Sequence, residues 1–452
     1  MPTTAPTIAL TPQSPGIFRV KTIPTGSAES VNELLQFNHD NWHILWDAVR
    51  AGGLHNHQVH YLLTDFALGA SPAQIREAFR TNKDYQRPVD AGNNGRQLTI
   101  DDTNFSQCLG QHKLYSSWLS HFENEVAAKG WVQAVQECVF ADTPRAKDLF
   151  GRMFEGALHP IIHLGFGLEF IQPAIVAEAL AQAAIHVDQA STFLNRADHL
   201  AQQKSPWKDE RLMDLFLKAR SDPAIVEADC WKGGSFELNG NFFDIAPQQL
   251  LELAASYKLG PDCSEAAFNM RTVEMINVSA WFAAAAQRPD KEAKFDFFYM
   301  HCVNCSLFLS LFATAPWLSL QDKVRLLEWK VRMDLVIYVC QGSPLLVLHE
   351  IIDYKPRQPD CMNWGDIISR ALDITCDGHV VKMIRALRHG AEVSRIFEEQ
   401  DKDASRFPIR GDMWLKIANM VLDSTEDYPD VRDKWMRGPG FDRAWDMIPN
   451  RK

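Results

Sequence analysis

The sequence lacks the marks of several large functional classes. No basic block interrupts the spread of its 57 acidic and 46 basic side chains, and the formal net charge is −11. Proteins that follow a phosphate backbone cluster Lys and Arg, so we expect no nucleic-acid partner. A P-loop is missing, and Gly165-Phe166-Gly167 has neither the third glycine nor the preceding strand of a Rossmann signature. These absences argue against direct binding of a nucleotide.

A secretory signal is also missing, because the N-terminal MPTTAPTIALTPQSPG has no basic segment followed by an apolar run. We interpret residues 1–25 as a disordered tail and expect a cytoplasmic protein. The most apolar stretch, residues 295–316, contains Asp296, His301 and Asn304, whose polar groups are costly in lipid. It therefore predicts a buried helix, and we expect no membrane partner.

Strand-like alternation of apolar and polar residues is nearly absent, and helical periodicity dominates. It extends over residues 30–49, 71–80, 115–128, 173–195, 247–257, 266–286, 320–339 and 380–399. With 46% hydrophobic residues the chain can bury one large core or two smaller ones. Because the motifs below fall on both sides of a soft boundary near residue 204, we predict one large all-α multi-helix catalytic domain over residues 26–452, with a metal site in its core.

The nine cysteines are an odd number, and most have apolar neighbours, which predicts reduced thiols. Cys302 and Cys305 form a single CxxC pair. One such pair cannot complete a tetrahedral zinc site, so we interpret both as core thiols one helical turn apart.

Histidines carry the functional signal, because several of the 15 lie inside apolar stretches. A buried imidazole must be hydrogen-bonded or bound to metal to offset its desolvation. In His55-Asn56-His57-Gln58-Val59-His60, the rings of His57 and His60 can face one side of a helix. This pattern leaves open a helix cap with one core histidine, or a contact to metal or substrate.

The second histidine motif is His159-Pro160-Ile161-Ile162-His163. Proline suits the first turn of a helix, which places His159 near the cap and His163 one turn inside. A third candidate, His301, stands alone in an apolar run and by itself is interpreted as a structural residue.

The fourth motif is His379-Val380-Val381-Lys382, with histidine and lysine one helical turn apart. Lys382 either covers apolar surface with its stem or is desolvated and partly neutral. A neutral lysine amine can capture carbon dioxide, and the resulting carbamate presents an anionic oxygen beside a histidine.

Two further patterns rank lower. His186-Val187-Asp188 has the spacing of a facial-triad iron site, but such a site needs a strand to aim both ligands, and we place these residues in the helix that begins at Pro173. His349-Glu350 follows an apolar run and is interpreted as a helix end or as support for a nearby site.

Together the motifs resemble the questin-oxidase-like family, which includes oxygenases that open the ring of anthraquinones. The resemblance rests on four stretches that span most of the chain: HNHQVHYLLTDFALGAS (55–71), HPIIHLGFGLEFIQPAIVAEALAQAAIH (159–186), FFYMHCVNCSLFLS (297–310) and GHVVKMIRAL (378–387). Members are described as Baeyer–Villiger-type oxidases without a flavin signature. One relative is described as a non-haem iron dioxygenase with four histidines and a carboxylated lysine.

The resemblance implies a non-haem Fe(II) site, with five ligands: His60, His163, His301, His379 and carbamylated Lys382. His57 and His159 are the reserve residues of the catalytic site, as hydrogen-bonding supports or as ligands in place of a neighbour. The sequence departs from the family pattern at Tyr61, where a histidine is expected, and at Asp65, where an apolar residue is expected.

The implied reaction uses dioxygen as co-substrate and cleaves a ring carbon–carbon bond in the hydroquinone form of an anthraquinone-type polyketide, in secondary metabolism. The implied partner is thus a small aromatic polyketide. The alternative is a Baeyer–Villiger-type monooxygenase that takes electrons from NADPH, directly or through a separate reductase. A second alternative, a non-catalytic helical scaffold, predicts histidines on unrelated faces.

Overall fold

The computed structural model describes residues 7–47, 54–91, 97–204, 208–228, 247–260, 262–361, 363–402 and 404–451. The predicted all-α class is confirmed, since the sole sheet in these ranges is a two-stranded antiparallel pair. The chain divides into two compact units. The first comprises residues 1–191, 316–318 and 375–382, and the second comprises residues 192–315, 319–374 and 383–452.

The first unit contains nine α-helices, a 3-10 helix (His112–Leu114), a π-helix (Gln136–Phe140) and the small sheet among its described residues. These are α1 (Ser27–Asn41), β1 (Leu45–Asp47), β2 (Leu54–His55), α2 (Gln58–Leu68), α3 (Pro72–Thr81), α4 (Phe105–Cys108), α5 (Tyr115–Lys129), α6 (Trp131–Val135), α7 (Pro144–Arg152), α8 (Glu155–Glu169) and α9 (Pro173–Ile185). Helices α8 and α9 form a close antiparallel pair. A Cβ on Gly167 would stand 2.8 Å from the backbone nitrogen of Val176, so only glycine allows this approach.

The second unit holds most of the remaining helices. These are α10 (Ala190–Gln203), α11 (Leu212–Ser221), α12 (Pro223–Val226), α13 (Pro247–Ala254), α14 (Glu265–Ala285), α15 (Phe297–Thr314), α16 (Leu320–Cys340), α17 (His349–Ile352), α18 (Trp364–Leu372), α19 (His379–Gln400), whose first turn belongs to the first unit, and α20 (Met413–Asp423). Helix α15 is long and apolar enough to cross a membrane, yet 72% of it is buried inside the protein. It is the buried helix predicted from the sequence.

Two predicted helices end at least eight residues earlier than the periodicity indicates. The helix predicted over residues 30–49 ends at Asn41, and residues 45–47 form β1 instead. The helix predicted over residues 173–195 breaks after Ile185, so His186 is an extended C-cap and lies outside a helix. The break is stabilised by Glu155, whose carboxylate accepts the first backbone N–H groups of the next helix, from Gln189 and Ala190.

The N-terminal segment differs from the predicted disordered tail. From residue 7 onward it is placed in the first unit, and Ile8 and Leu10 are each 3% exposed. Their backbone N–H groups donate to the side chains of Gln36 and Asn32 on α1. The two apolar side chains and these long-range acceptors order a segment whose own composition has no periodicity. The division at residue 25 into a tail and one catalytic domain stays a prediction.

Candidate metal centre

The six proposed site residues of the first unit are all buried. His57 is the N-cap of α2, and His60 lies one turn inside that helix. His159 and His163 lie on α8, while His379 and Lys382 occupy the first turn of α19. The exposed fractions are 0% for His60, His163 and His379, 1% for Lys382, 4% for His159 and 8% for His57. So many buried polar groups require partners.

Three imidazoles converge. The ring nitrogens that His57, His159 and His379 offer lie within 4.8 Å of one another. His57 Nε2 is 2.9 Å from His159 Nε2, and the ring of His57 meets that of His379 edge-on at 4.5 Å between centroids. Two nitrogens at right angles on one ion stand about 3.0 Å apart when each metal–nitrogen bond is about 2.1 Å. The triplet therefore has the dimensions of a metal site.

The partners of the opposite ring nitrogens fix the tautomers. His379 Nδ1 is 2.7 Å from Asp377 Oδ1, and His159 Nδ1 hydrogen-bonds the carbonyl of Gly156. A carboxylate and a carbonyl only accept, so each Nδ1 carries the proton and each Nε2 keeps a lone pair. Histidines that bind metals characteristically donate their other ring N–H in this way.

Asp377 accepts from His379 and lies near a second ring, since its other oxygen is 3.9 Å from His57 Nδ1. Burial alone would raise the pKa of Asp377, but His379 and Lys382 outweigh burial and lower it, so the carboxylate is ionised. The sequence analysis missed this residue. The available signal was a lone acid two positions before a candidate histidine.

The carbonyl under His159 depends on an unusual backbone. Gly156, Ala157 and Leu158 have φ angles of 53°, 56° and 69°, a left-handed turn at the start of α8. This conformation costs about 1–2 kcal/mol for each residue with a side chain. Strain of this kind persists where the surroundings enforce it, and it is common at functional sites. Here it aims the Gly156 carbonyl at His159, and the predicted position of His159 near the start of a helix is confirmed.

Lys382 has the properties that carbamylation requires. Its amine makes no hydrogen bond to any described residue. Burial lowers the pKa of Lys382 to about 8, although the nearby Asp377 and Cys376 act in the opposite direction. A substantial fraction of the amine is thus neutral, and nucleophilic, near physiological pH.

His60 and His163 form a separate pair beside this group. His60 Nε2 is 3.1 Å from His163 Nδ1, and His163 Nε2 is 2.8 Å from Glu178 Oε2. The ring of His60 lies 5.9 Å from that of His57 between centroids. Of the first-unit residues named as ligands, the structure thus groups His379 with the reserves His57 and His159. The assignment of His60 and His163 as ligands stays a prediction.

His301 belongs to the second unit and is 0% exposed on α15. Its Nδ1 is 2.7 Å from the carbonyl of Phe297, so Nδ1 carries the proton and Nε2 keeps the lone pair. His301 therefore has the same tautomer as His159 and His379.

The other sequence candidates have different roles. His186 Nε2 is 3.0 Å from His55 Nε2, and the side chain of Asp188 caps α10. The side chain of His349 is 81% exposed. Cys302 is buried and outside any disulfide, as predicted, and the other seven cysteines in the described ranges are also outside disulfides.

Comparison with known proteins identifies close similarities along the whole chain. A family profile described as "Questin oxidase-like" matches residues 54–387. The "Baeyer-Villiger oxidase ptaJ" of Pestalotiopsis fici is 39% identical over 99% of this chain and 99% of that protein. The "Questin oxidase" of Aspergillus terreus is 39% identical over 98% of both. The "Baeyer-Villiger monooxygenase dmxR6" of Cryptosporiopsis sp. is 38% identical over 97% of both.

Proposed function

Because the chain belongs to the questin oxidase-like family, we propose that it is an iron-dependent dioxygenase that opens a ring of an anthraquinone-type polyketide. Its relatives make it an oxygenase of the oxidoreductase class. The observation that carries the metal proposal is the convergence of three buried imidazoles, two of which, His159 and His379, direct their Nδ1 protons away from the group. A non-catalytic scaffold predicts no such convergence. We keep a cytoplasmic location and a small aromatic partner as part of the proposal.

The proposed ligands are His57, His159 and His379, with His301 retained from the sequence prediction as a fourth. The reserves take precedence over His60 and His163 for a geometric reason. The ring nitrogens of His57 and His159 lie within 4.8 Å of that of His379, whereas His163 pairs with His60 and Glu178 instead.

Lys382 is proposed to carry a carbamate. Its neutral amine attacks carbon dioxide, the new N–C bond replaces one N–H bond, and the released proton leaves to solvent. The product is an anionic oxygen one helical turn from His379. The donor set of neutral imidazoles and one anionic oxygen suits Fe(II).

Iron in such a site would activate dioxygen, and the protein residues supply position and seclusion. The three histidines of the first-unit triplet are at most 8% exposed as whole residues, which keeps bulk water from the reacting ring. In the dioxygenase reaction the hydroquinone substrate supplies the electrons, a carbon–carbon bond beside a ring carbonyl breaks, and both atoms of dioxygen enter the product.

The second candidate is a Baeyer–Villiger-type monooxygenase, which the names of several relatives favour. This reaction inserts one oxygen atom and reduces the other to water with two electrons from NADPH, directly or through a separate reductase. The two candidates share a substrate class and differ in oxygen and electron count.

Oxygen-18 labelling separates them. The purified protein is given a hydroxyanthraquinone such as questin in its hydroquinone form under ¹⁸O₂, and the product mass is measured. We expect two labelled atoms and no requirement for NADPH. One labelled atom with stoichiometric NADPH oxidation would establish the monooxygenase instead.

Elemental analysis tests the ligands. We expect one iron per chain in the wild type and loss of iron in His57→Ala, His159→Ala and His379→Ala. His349→Ala, at an exposed position, is the control. If His60→Ala loses iron and His57→Ala retains it, the sequence assignment of His60 replaces ours.

The carbamate has its own test. Lys382→Ala is expected to lose activity, and formate or acetate should restore part of it by supplying the missing carboxylate. In the wild type, ¹³C-bicarbonate should give a carbamate signal in ¹³C NMR that Lys382→Ala lacks. Full iron and full activity in Lys382→Ala would refute the carbamate and leave the histidine site intact.

A further inference from the structure

A chain of hydrogen bonds extends from the metal centre through the first unit to the surface. Its members are His60, His163, Glu178, His39 and Glu123. The successive distances are 3.1, 2.8, 2.7 and 2.9 Å. The side chain of Glu178 is 1% exposed and that of Glu123 is 20% exposed, so the chain begins deep in the unit and ends near solvent.

The ionisation of Glu178, the central member, fixes which atoms donate in this chain of hydrogen bonds. Burial alone would raise the pKa of Glu178, but the hydrogen bonds from His163 and His39 lower it to about 2. Burial alone would lower the pKa of His39, but its bonds to Glu123 and Glu178 raise it to about 10. Glu178 is therefore a carboxylate held by a histidine cation, and it accepts on both oxygens.

The proton positions then follow step by step. Since Glu178 only accepts, His163 must donate from Nε2, and its Nδ1 must be the acceptor. His60 must in turn donate from Nε2 to His163, which leaves a lone pair on His60 Nδ1. Burial holds the pKa of His60 well below its ordinary value, so the ring stays neutral.

The lone pair on His60 Nδ1 needs a partner that the described residues do not provide. This atom is buried and makes no hydrogen bond to any described residue. The ring is held in place by stacking on Phe166, with centroids 5.0 Å apart and planes 19° from parallel. A fixed, buried acceptor without a donor is costly unless a bound molecule donates to it.

We infer that His60 Nδ1 accepts a hydrogen bond from a phenolic hydroxyl of the bound substrate, and that Glu178 is the positioning residue that keeps it an acceptor. The inference rests on the proposed function for the substrate class. It assigns His60 to substrate selection: a hydroxyl at one ring position pairs with the lone pair, whereas a methyl ether there leaves it unpaired.

Binding of matched ligands tests this inference. The dissociation constants of a hydroxyanthraquinone and of each of its mono-O-methyl ethers are measured by quenching of tryptophan fluorescence, without dioxygen. At one hydroxyl position we expect the wild type to bind the phenol roughly 10- to 100-fold more tightly than the ether, the consequence of an unpaired buried acceptor. His60→Leu should reduce that ratio to about threefold or less.

Glu178→Gln gives a readout that a purely structural role would not. Glu123 still holds His39 as a cation, so both ring nitrogens of His39 donate, and the new amide accepts from His39 Nδ1 through oxygen and donates to His163 through nitrogen. Every proton in the inner half of the chain then reverses, and His60 Nδ1 becomes an N–H donor. The preference should shift from the phenol towards the ether. Glu169→Gln, another buried acid of the same unit, should leave the ratio unchanged.

The outcomes are separable. A discrimination ratio unaffected by His60→Leu overturns the inference, as does loss of iron in His60→Leu, since the lone pair would then hold the metal. Unchanged selectivity in a folded Glu178→Gln protein overturns the role of Glu178. If either variant fails to fold, the other decides. Tight phenol binding without ring opening would refute the proposed reaction while leaving this inference standing.

Discussion

Replacing Asp377 should weaken metal binding at the proposed centre by an amount that the geometry allows us to rank. Its carboxylate makes one direct hydrogen bond, 2.7 Å from His379 Nδ1, and a longer approach of 3.9 Å to His57 Nδ1. Losing such a support typically lowers metal affinity 10- to 100-fold, or about 1.4–2.7 kcal/mol. Asp377→Asn keeps an acceptor oxygen and loses the charge, so about tenfold is expected. Asp377→Ala loses both, so about a hundredfold is expected.

The assay is competition between the protein and a chelator of known affinity for Fe(II), followed anaerobically, with Zn(II) as a redox-inert check. Asp90→Asn, which removes an exposed carboxylate of the same unit, is the matched control and should bind metal as the wild type does. The orientation of His57 and His379 by one carboxylate would be refuted if Asp377→Ala bound metal as tightly as the control. It would also be refuted if Asn were as damaging as Ala, since the retained acceptor would then be irrelevant.

Two further predictions concern stability. Gly156→Ala should lower the melting temperature more than Gly411→Ala does. Both glycines have a φ of 53°, but a Cβ at Gly156 would stand 2.7 Å from the His186 ring, whereas nothing lies within 4 Å of a Cβ at Gly411. Equal shifts of the melting temperature in calorimetry would contradict the clash. The ion pair of Glu178 and His39 should also shape stability against pH. The pKa of Glu178 falls from its ordinary 4.5 to about 2, so its stabilisation is complete above pH 4.5 and is lost as pH falls towards 2. The pKa of His39 rises from 6.5 to about 10, so its stabilisation is complete below pH 6.5 and is lost as pH rises towards 10. Urea denaturation across this pH range should show that the free energy of unfolding of the wild type falls at both ends. In Glu178→Gln the fall at acid pH should be smaller. An unchanged fall at acid pH would mean that the pair is not ionised.

The residues on which these predictions depend differ in how readily they can be found from the sequence. Asp377 adjoins a motif in the chain, and its proximity to His379 could have been noticed from the sequence. Glu178 is the single acid in an apolar helix, within one of the stretches that carry the family resemblance. Its partner His39 lies 139 residues away, and no local pattern connects the two.

What the sequence determined by itself is local. Apolar residues at three- and four-residue steps specify helices because one face must be buried, and Pro160 fixes where the regular part of α8 begins. The same chemistry identified the candidate histidines and Lys382, since polar groups in apolar surroundings need a partner wherever the chain folds.

Tertiary structure decided everything that depends on distant neighbours. It grouped His57 and His159, rather than His60 and His163, with His379. Histidines on one face of a helix look equivalent in the sequence and differ only in which side chains of other helices lie opposite them. It ended the helix before His186, where acceptors from another segment replaced the next helical hydrogen bonds. Tautomers were likewise set by long-range contacts, since which ring nitrogen carries the proton depends on an acceptor that the chain brings from elsewhere.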